Sequence, residues 1–461
     1  MPERPLRDAH AAGPHVNVRE EALALLLRIV KGGGDSVPLP ALLAQVSERR
    51  QLLPVQQAFL SELTYGVLRL CSLLDLSACT FIPRPEKLSA MMRMLLRISA
   101  YEMLFMKRIP CRATVDECVS IAKRRFGSRA AGFFNAVLRR MSEDAPRMME
   151  SIHERISHVN GASPPGEISL CASIPLWLAE RWSEHYGAAA AAMLARGLIH
   201  APMACWRVNT AREGWRGLLE EWLSLGWERS GSHGFFSSFS MGIPHEMQGV
   251  LWQRLAALEM SGAISRQGSH SQIVAETIAD RMRRFRGGNA RLWDCCCGRG
   301  GKTAALAEQG VRICLASDPS HFRLEDLRRQ FCRLGIPCPP VFHGTAQEIA
   351  GKRFDAILVD APCSGTGTLA RNPELKYRLS PQMLCAASSL QKSILYSVWQ
   401  NLLPGGLLFY ATCSLEPSEN ELQVRRFAAL HSGASVESLR TYLPCSPGQD
   451  SLVLSVLRKD A

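Results

Sequence analysis

Apolar residues recur at helical spacing along the first third of the chain. Glu20 to Val30 carries a broad apolar stripe, Gln57 to Leu70 a second, Met91 to Met106 a third and Ala113 to Phe126 a fourth, and Ser128 to Met141 completes the set. Stripes of this period predict amphipathic helices that bury one face. Pro54, Pro83, Pro85 and Pro110 fall at their boundaries, where a residue that breaks a helix interior is tolerated. Residues 1–144 are therefore expected to form an all-α bundle.

Periodicity fades over residues 145–286. Ile174-Pro-Leu-Trp177 opens a helix-like stretch, and Ala201 to Asn209 reads as an extended run leading into a small α/β module. From residue 287 to 461 the pattern changes again. Apolar runs begin at Arg291, Arg312, Phe354 and Leu407, helical stretches follow from Lys302, His321, Pro381 and Glu419, and Leu452 to Leu457 is a last apolar run. Such alternation predicts a parallel, doubly wound sheet, which places ligands at the carboxyl ends of its strands.

Chemistry gathers at those ends. Arg291-Leu-Trp-Asp-Cys-Cys-Cys-Gly-Arg-Gly-Gly-Lys-Thr303 is a strand end, a glycine-rich turn and a helix start, the arrangement that brings backbone N–H groups close to a ligand. A phosphate-binding P-loop is excluded, because Cys296 stands where that pattern needs glycine, and the dinucleotide fingerprint is broken by Ala304. A nucleoside without phosphates remains. Asp318, ending the next apolar run, is spaced to accept hydrogen bonds from ribose hydroxyls. S-adenosylmethionine fits these requirements. Two further runs end in thiols, Cys363 in Ile357-Leu-Val-Asp-Ala-Pro-Cys363 and Cys413 in Leu407-Leu-Phe-Tyr-Ala-Thr-Cys413, so both are expected to face one crevice. Cys295, Cys296, Cys297, Cys314 and Cys332 have thiols better read as small buried hydrophobes.

Asp360-Ala-Pro-Cys363-Ser-Gly-Thr-Gly367, Arg371-Asn-Pro-Glu-Leu-Lys376, and Tyr410-Ala-Thr-Cys413-Ser414 with Pro417-x-Glu419-Asn420 together resemble the Sun/RsmB (Fmu) family of ribosomal RNA cytosine-C5 methyltransferases. Phe59-Leu-Ser-Glu-Leu-Thr-Tyr-Gly66, Val115-Asp-Glu-Cys-Val119 and Arg129 to Arg140 look like the NusB-type domain that precedes the enzyme in that family. The resemblance implies a NusB-like domain over 1–144, a linker and RNA-recognition module over 145–286, and a Rossmann-like S-adenosylmethionine-dependent methyltransferase domain over 287–461, whose last strand is antiparallel. It also implies residue roles. Cys413 would add to cytosine C6, Asp360 would assist at N3, and Cys363 would assist release of the product. Cys296, Cys297, Gly298, Arg299, Gly300, Gly301, Lys302, Asp318, Thr345 and Asp360 would bind the cofactor.

Some positions depart from the family pattern. Gly298-Arg299 replaces the more usual Ala-Pro, and Thr345 replaces an acidic residue near the adenosyl group, with Glu348 one turn on as a substitute. Ser271-Gln272 resembles the end of a family motif, but Gln267-Gly-Ser-His270 lacks its acidic centre. These departures suggest a second reading, a catalytically idle RNA-binding ribosome-assembly factor on the same scaffold. Retention of Asp360, Cys363 and Cys413 favours the enzyme.

The remaining bounds come from size and composition. A chain of 461 residues has room for more than one core. Its net charge of +12 suits a polyanion such as small-subunit ribosomal RNA, with Lys123, Arg124, Arg125, Arg129, Arg139 and Arg140, or Arg281, Arg283, Arg284 and Arg286, as phosphate contacts or a solvated basic face. The 16 cysteines include no C-x-x-C pair, so no metal site is expected. Without a signal peptide or membrane-spanning apolar run, a cytoplasmic monomer with reduced thiols is expected.

Overall fold

The structure, a computed structural model, describes residues 16–31, 37–236, 245–349, 351–444 and 448–460. It divides into two compact units, Met1–Ala192 and Met193–Ala461.

The first unit is helical: α1 Val18–Val30, α2 Leu39–Arg50, α3 Pro54–Cys79, α4 Ala90–Phe105, α5 Cys111–Phe126, α6 Ser128–His158, α7 Pro165–Ala172 and α8 Leu176–Tyr186, with α9 Ala188–Leu198 at the junction. Each expected apolar stripe lies on a helix. Asn17 starts α1 by accepting from the N–H groups of Arg19 and Glu20, and Pro54 opens α3, both ordinary helix-start devices. Leu60, Leu63, Val67 and Leu68 of α3 and Leu95 and Ile98 of α4 are buried. Gly66 permits the close approach of these two helices, since a Cβ there would fall 1.9 Å from the Tyr101 ring. A buried acid, Glu102, is neutralised by Arg19 at 2.8 Å and bonded by Thr114 Oγ1 at 2.7 Å.

The second unit begins with a four-stranded antiparallel sheet: β1 Cys205–Val208, β2 Glu228–Ser230, β3 Gly234–Phe236 and β4 Ile264–Arg266, in the order β2-β3-β1-β4. Helices α10 Trp215–Ser224, α11 His245–Met260 and α12 Ser269–Arg284 accompany it. Trp206, Trp222 and Phe235 fill its core.

A larger sheet follows, built from β5 Leu292–Asp294, β6 Ile313–Asp318, β7 Val341–His343, β8 Phe354–Asp360, β9 Leu402–Thr412, β10 Ala434–Tyr442 and β11 Leu452–Lys459. Its helices are α13 Gly301–Glu308, α14 His321–Leu334, α15 Pro381–Asn401 and α16 Glu421–Leu430. The strand order is β10-β11-β9-β8-β5-β6-β7. Strands β7, β6, β5, β8 and β9 pair in parallel, and β11 is antiparallel to both neighbours, as the family resemblance implied for the last strand. Ile357, Leu358, Val359, Leu408, Phe409 and Tyr410 are fully buried, which is why β8 and β9 read as continuous apolar runs. The helix expected from Glu419 begins instead at Glu421. Glu419 ends a 3-10 turn, Pro417–Glu419, and Asn420 interrupts the helical path with φ −118° and ψ −111°.

Strands are added to one side of β5 through β6 and β7 and to its other side from β8, so the crevice at the carboxyl ends of β5 and β8 is the switch point where such sheets bind ligands. Among the described residues no helix is long and apolar enough to cross a membrane, and no group of three metal-ligating side chains occurs.

Candidate active site

Strand β5 delivers Asp294 to the crevice, and the chain then turns through residues 295–300 into α13. Gly298 and Gly300 take φ of 54° and 83°, which favours glycine. Gly300 has a second reason, because a Cβ there would meet Leu327 Cγ at 2.8 Å. At Gly298 and Gly301 an added Cβ would meet nothing within 4 Å, so the loop backbone borders open space on that side.

The expected cofactor positions fall around this loop. Asp318 ends β6 and accepts from Gly298 N at 3.1 Å and Ser320 N at 2.8 Å. Cys297 is buried and Cys296 partly so, and the Cys297 N–H bonds the Ser317 carbonyl across to β6. Arg299 points outward to Asp326 at 3.4 Å and is largely exposed. Thr345 donates to Glu348 at 3.0 Å, which keeps a carboxylate beside the position where the family has its acid.

Lys302 turns to the other side. Its Nζ lies 2.8 Å from both carboxylate oxygens of Asp360 at the end of β8. Burial alone would lower the Lys302 pKa, but the Asp360 charge and hydrogen bonds outweigh it and hold the ammonium above its ordinary range. A thiolate at Cys413 and the Asp294 carboxylate add to that field.

The two strand-end thiols meet: Cys363 Sγ and Cys413 Sγ are 3.2 Å apart. The hydrogen bond to Cys413 and then burial push the Cys363 thiol well above its ordinary pKa, with the charges of Cys413 and Glu419 adding to both. Cys363 thus keeps its proton. The Gly367 N–H donates to the Cys413 carbonyl at 2.9 Å, and a Cβ on Gly367 would fall 2.8 Å from that carbonyl, so glycine is needed for the two loops to close together.

Asp294 was not singled out by its sequence, although an acid ending the strand before a glycine-rich turn is the available signal. One oxygen accepts from Thr303 Oγ1 at 2.7 Å, and Oδ1 is buried without a partner. Burial, above all, pushes its pKa up to about 7. A buried acceptor of this kind suits a cationic group on a ligand.

This fold and site define a class: an α/β enzyme of the nucleoside-cofactor methyltransferase type, carried with a helical domain. Residues 287–451 match the family model described as 16S rRNA methyltransferase RsmB/F, and residues 16–143 match the NusB family. Ribosomal RNA small subunit methyltransferase B of Vibrio cholerae is 30% identical over 469 residues, covering 98% of this chain and 99% of its own. The probable ribosomal RNA small subunit methyltransferase B of Bacillus subtilis is 27% identical over 426 residues, covering 90% of this chain and 89% of its own. The solved structure of PH0851 shares the fold with a TM-score of 0.67 at 19% identity, covering 96% of this chain and 99% of that one. The chain belongs to the RsmB/F family of 16S rRNA methyltransferases.

The methyl donor of such an enzyme, S-adenosylmethionine, fits the residues present. Its amino group matches the orphaned oxygen of Asp294, and the open side of the glycine loop leaves backbone free for it. A measurable consequence follows from Asp294. With a folded pKa of about 7, above its unfolded value, this carboxyl stabilises the fold most at low pH and loses that contribution as pH rises through about 7. A bound cation favours the ionised form, so cofactor binding between roughly pH 6 and 8 releases a proton. Calorimetric titration in Tris and in phosphate is expected to give different heats for the wild type and equal heats for Asp294→Asn. Equal heats for the wild type would refute the assignment.

Proposed function

We propose that the enzyme methylates C5 of a cytosine in small-subunit ribosomal RNA through a covalent bond between Cys413 and C6 of the base. The observation that carries this reading is the meeting of Cys363 and Cys413 at 3.2 Å, beside an Asp360 carboxylate held by Lys302.

Cytosine C5 is a weak nucleophile. Addition of the Cys413 thiolate to C6 makes C5 an enamine carbon able to attack an electrophile. The charge of Cys413 acts on Lys302, so the ammonium borders the crevice of the attacking sulfur. Addition places negative charge on the ring at N3, where the Asp360 and Lys302 pair can share a proton and stabilise it. The target base must leave any helix to reach this crevice.

When bound, S-adenosylmethionine supplies the electrophilic methyl group on its sulfonium. Asp318 would hold the ribose hydroxyls, Asp294 the amino group, the backbone from Cys296 to Gly301 the carboxylate side, and Thr345 with Glu348 the adenosyl end. Release transfers the C5 proton to water as the C6–S bond breaks and its electron pair leaves on the Cys413 sulfur. The protonated Cys363 thiol faces that sulfur, and its hydrogen bond stabilises the departing thiolate.

The test is transfer of label from S-adenosylmethionine to small-subunit RNA lacking the modification, with the product mapped. Label on cytosine C5 is the expected result. No label on naked RNA or on subunits, together with no cofactor binding, would favour an assembly factor without activity.

A further inference from the structure

Both thiols sit beyond the ends of their strands, Cys363 three residues after β8 and Cys413 one residue after β9. The last ladder contact before them is the Ala361 N–H to the Ala411 carbonyl at 2.8 Å. Something other than the sheet must therefore set the separation of the two sulfurs. The residue following each thiol is a serine, and both serines bond the same carboxylate. Glu419 accepts from Ser364 N at 2.9 Å, from Ser364 Oγ, and from Ser414 Oγ at 2.9 Å. A fourth donor, Gln391 Nε2, reaches it at 2.9 Å and also bonds the Pro362 carbonyl at 3.0 Å, beside Cys363.

We propose that Glu419 is a positioning residue for the reaction, clamping the loop of Cys363 to the loop of Cys413 so that the two thiols are held in contact. The proposal rests on the reading that Cys413 is the nucleophile and Cys363 the releasing thiol. Glu419 has no exposed surface, and its contacts to these loops use it as acceptor each time. A buried carboxylate is tolerable when hydrogen-bond donors surround it. Its own backbone is tied down as well. Tyr410 Oη donates to the Glu419 carbonyl at 2.7 Å, and the neighbouring Asn420 bonds Thr412 and, at 2.8 Å, the Ser414 carbonyl. After the hydrogen bond to Cys413 and burial, the Glu419 charge is a further cause that keeps Cys363 protonated, which matches the role of that thiol. The Pro417-x-Glu419-Asn420 segment thus acquires a task distinct from touching substrate.

Glu419→Gln is the informative change, because its amide presents a donor to groups that are themselves donors. Two readouts are needed. The first is closure of a Cys363–Cys413 disulfide by diamide, located by peptide mass mapping in the full chain without RNA. Diamide accepts the two electrons and two protons as the S–S bond forms, so the closure rate measures how often the thiols meet. The second is steady-state methyl transfer. Glu419→Gln is expected to slow closure and lower kcat, each by about ten- to a hundredfold, the range for losing a hydrogen bond to a charged group. KM for RNA and for cofactor should stay within about threefold, since Glu419 has no exposed surface to offer either ligand. Ser414→Ala, which removes a single donor, should give a smaller loss in both readouts and serves if Glu419→Gln does not fold. Wild-type closure in these variants overturns the proposal, whether or not kcat falls. If the wild type transfers no methyl, the functional reading fails, while the closure rates still decide the clamp.

Discussion

Cys413→Ala is expected to abolish methyl transfer, by on the order of 10⁴-fold or more, and to leave cofactor affinity within about threefold. Without the thiolate nothing activates C5, and no neighbouring group can substitute. Cys363 lies 3.2 Å away on the other loop, and when its contact with Cys413 is lost, burial and the Glu419 charge still keep it protonated. In Cys363→Ala the proposed nucleophile remains, so addition and methylation are expected to proceed while release fails. A covalent RNA–protein complex should then persist on a denaturing gel, with at most one methyl per enzyme. The role assignment is reversed if that complex forms with Cys413→Ala and not with Cys363→Ala. The two variants separate the thiols by the step each blocks, which a simple loss of activity would not do.

The second large effect concerns stability. Arg207 of β1 lies between the small sheet and the methyltransferase sheet, with Nε at 2.6 Å and Nη2 at 2.8 Å from the Glu308 carboxylate of α13. Both side chains are almost wholly buried, 4% and 1% exposed. Arg207→Leu leaves Glu308 buried without its cation, which costs roughly 3–5 kcal/mol. For a unit of this size Tm should fall by about 6–20 °C in calorimetry. Arg207→Leu combined with Glu308→Leu should recover most of the loss, because an apolar pair of similar volume replaces a buried ion pair at little cost. No recovery would show that the guanidinium acts through its other contacts. These are Gln267 Oε1 at 2.6 Å and the Gly301 carbonyl at 3.4 Å. Gln267 Nε2 bonds the same carbonyl at 3.2 Å, so the small sheet also buttresses the start of the cofactor helix.

Features written within a short window of sequence were legible. The stripe on Met91 to Met106 became α4, and the run from Ile357 became the interior of β8. Strand β1 lies in the extended run read over Ala201 to Asn209, whereas β2 to β4 were not resolved, because runs of three residues are too short to display a period. Helix α2 and strand β10 also went unread. Strand β10 is an edge strand in which no residue is fully buried, so its composition carries little apolar signal.

By itself the sequence determined the helical first unit, the alternation that builds a parallel sheet, the glycine-rich turn after β5 and the thiols that end two strands. Each depends on periodicity or turn chemistry among neighbouring residues. Only the tertiary structure decided which groups work together. Lys302 meets Asp360 across 58 positions, Arg207 meets Glu308 across 101, and Ser364 meets Glu419 across 55. The parallel crossovers bring Lys302, Asp360, Ser364 and Glu419 to one end of the large sheet, and Arg207 reaches Glu308 from the small sheet. The cost of burying an unpaired charge then selects the partners, and neither influence leaves a mark in the local pattern.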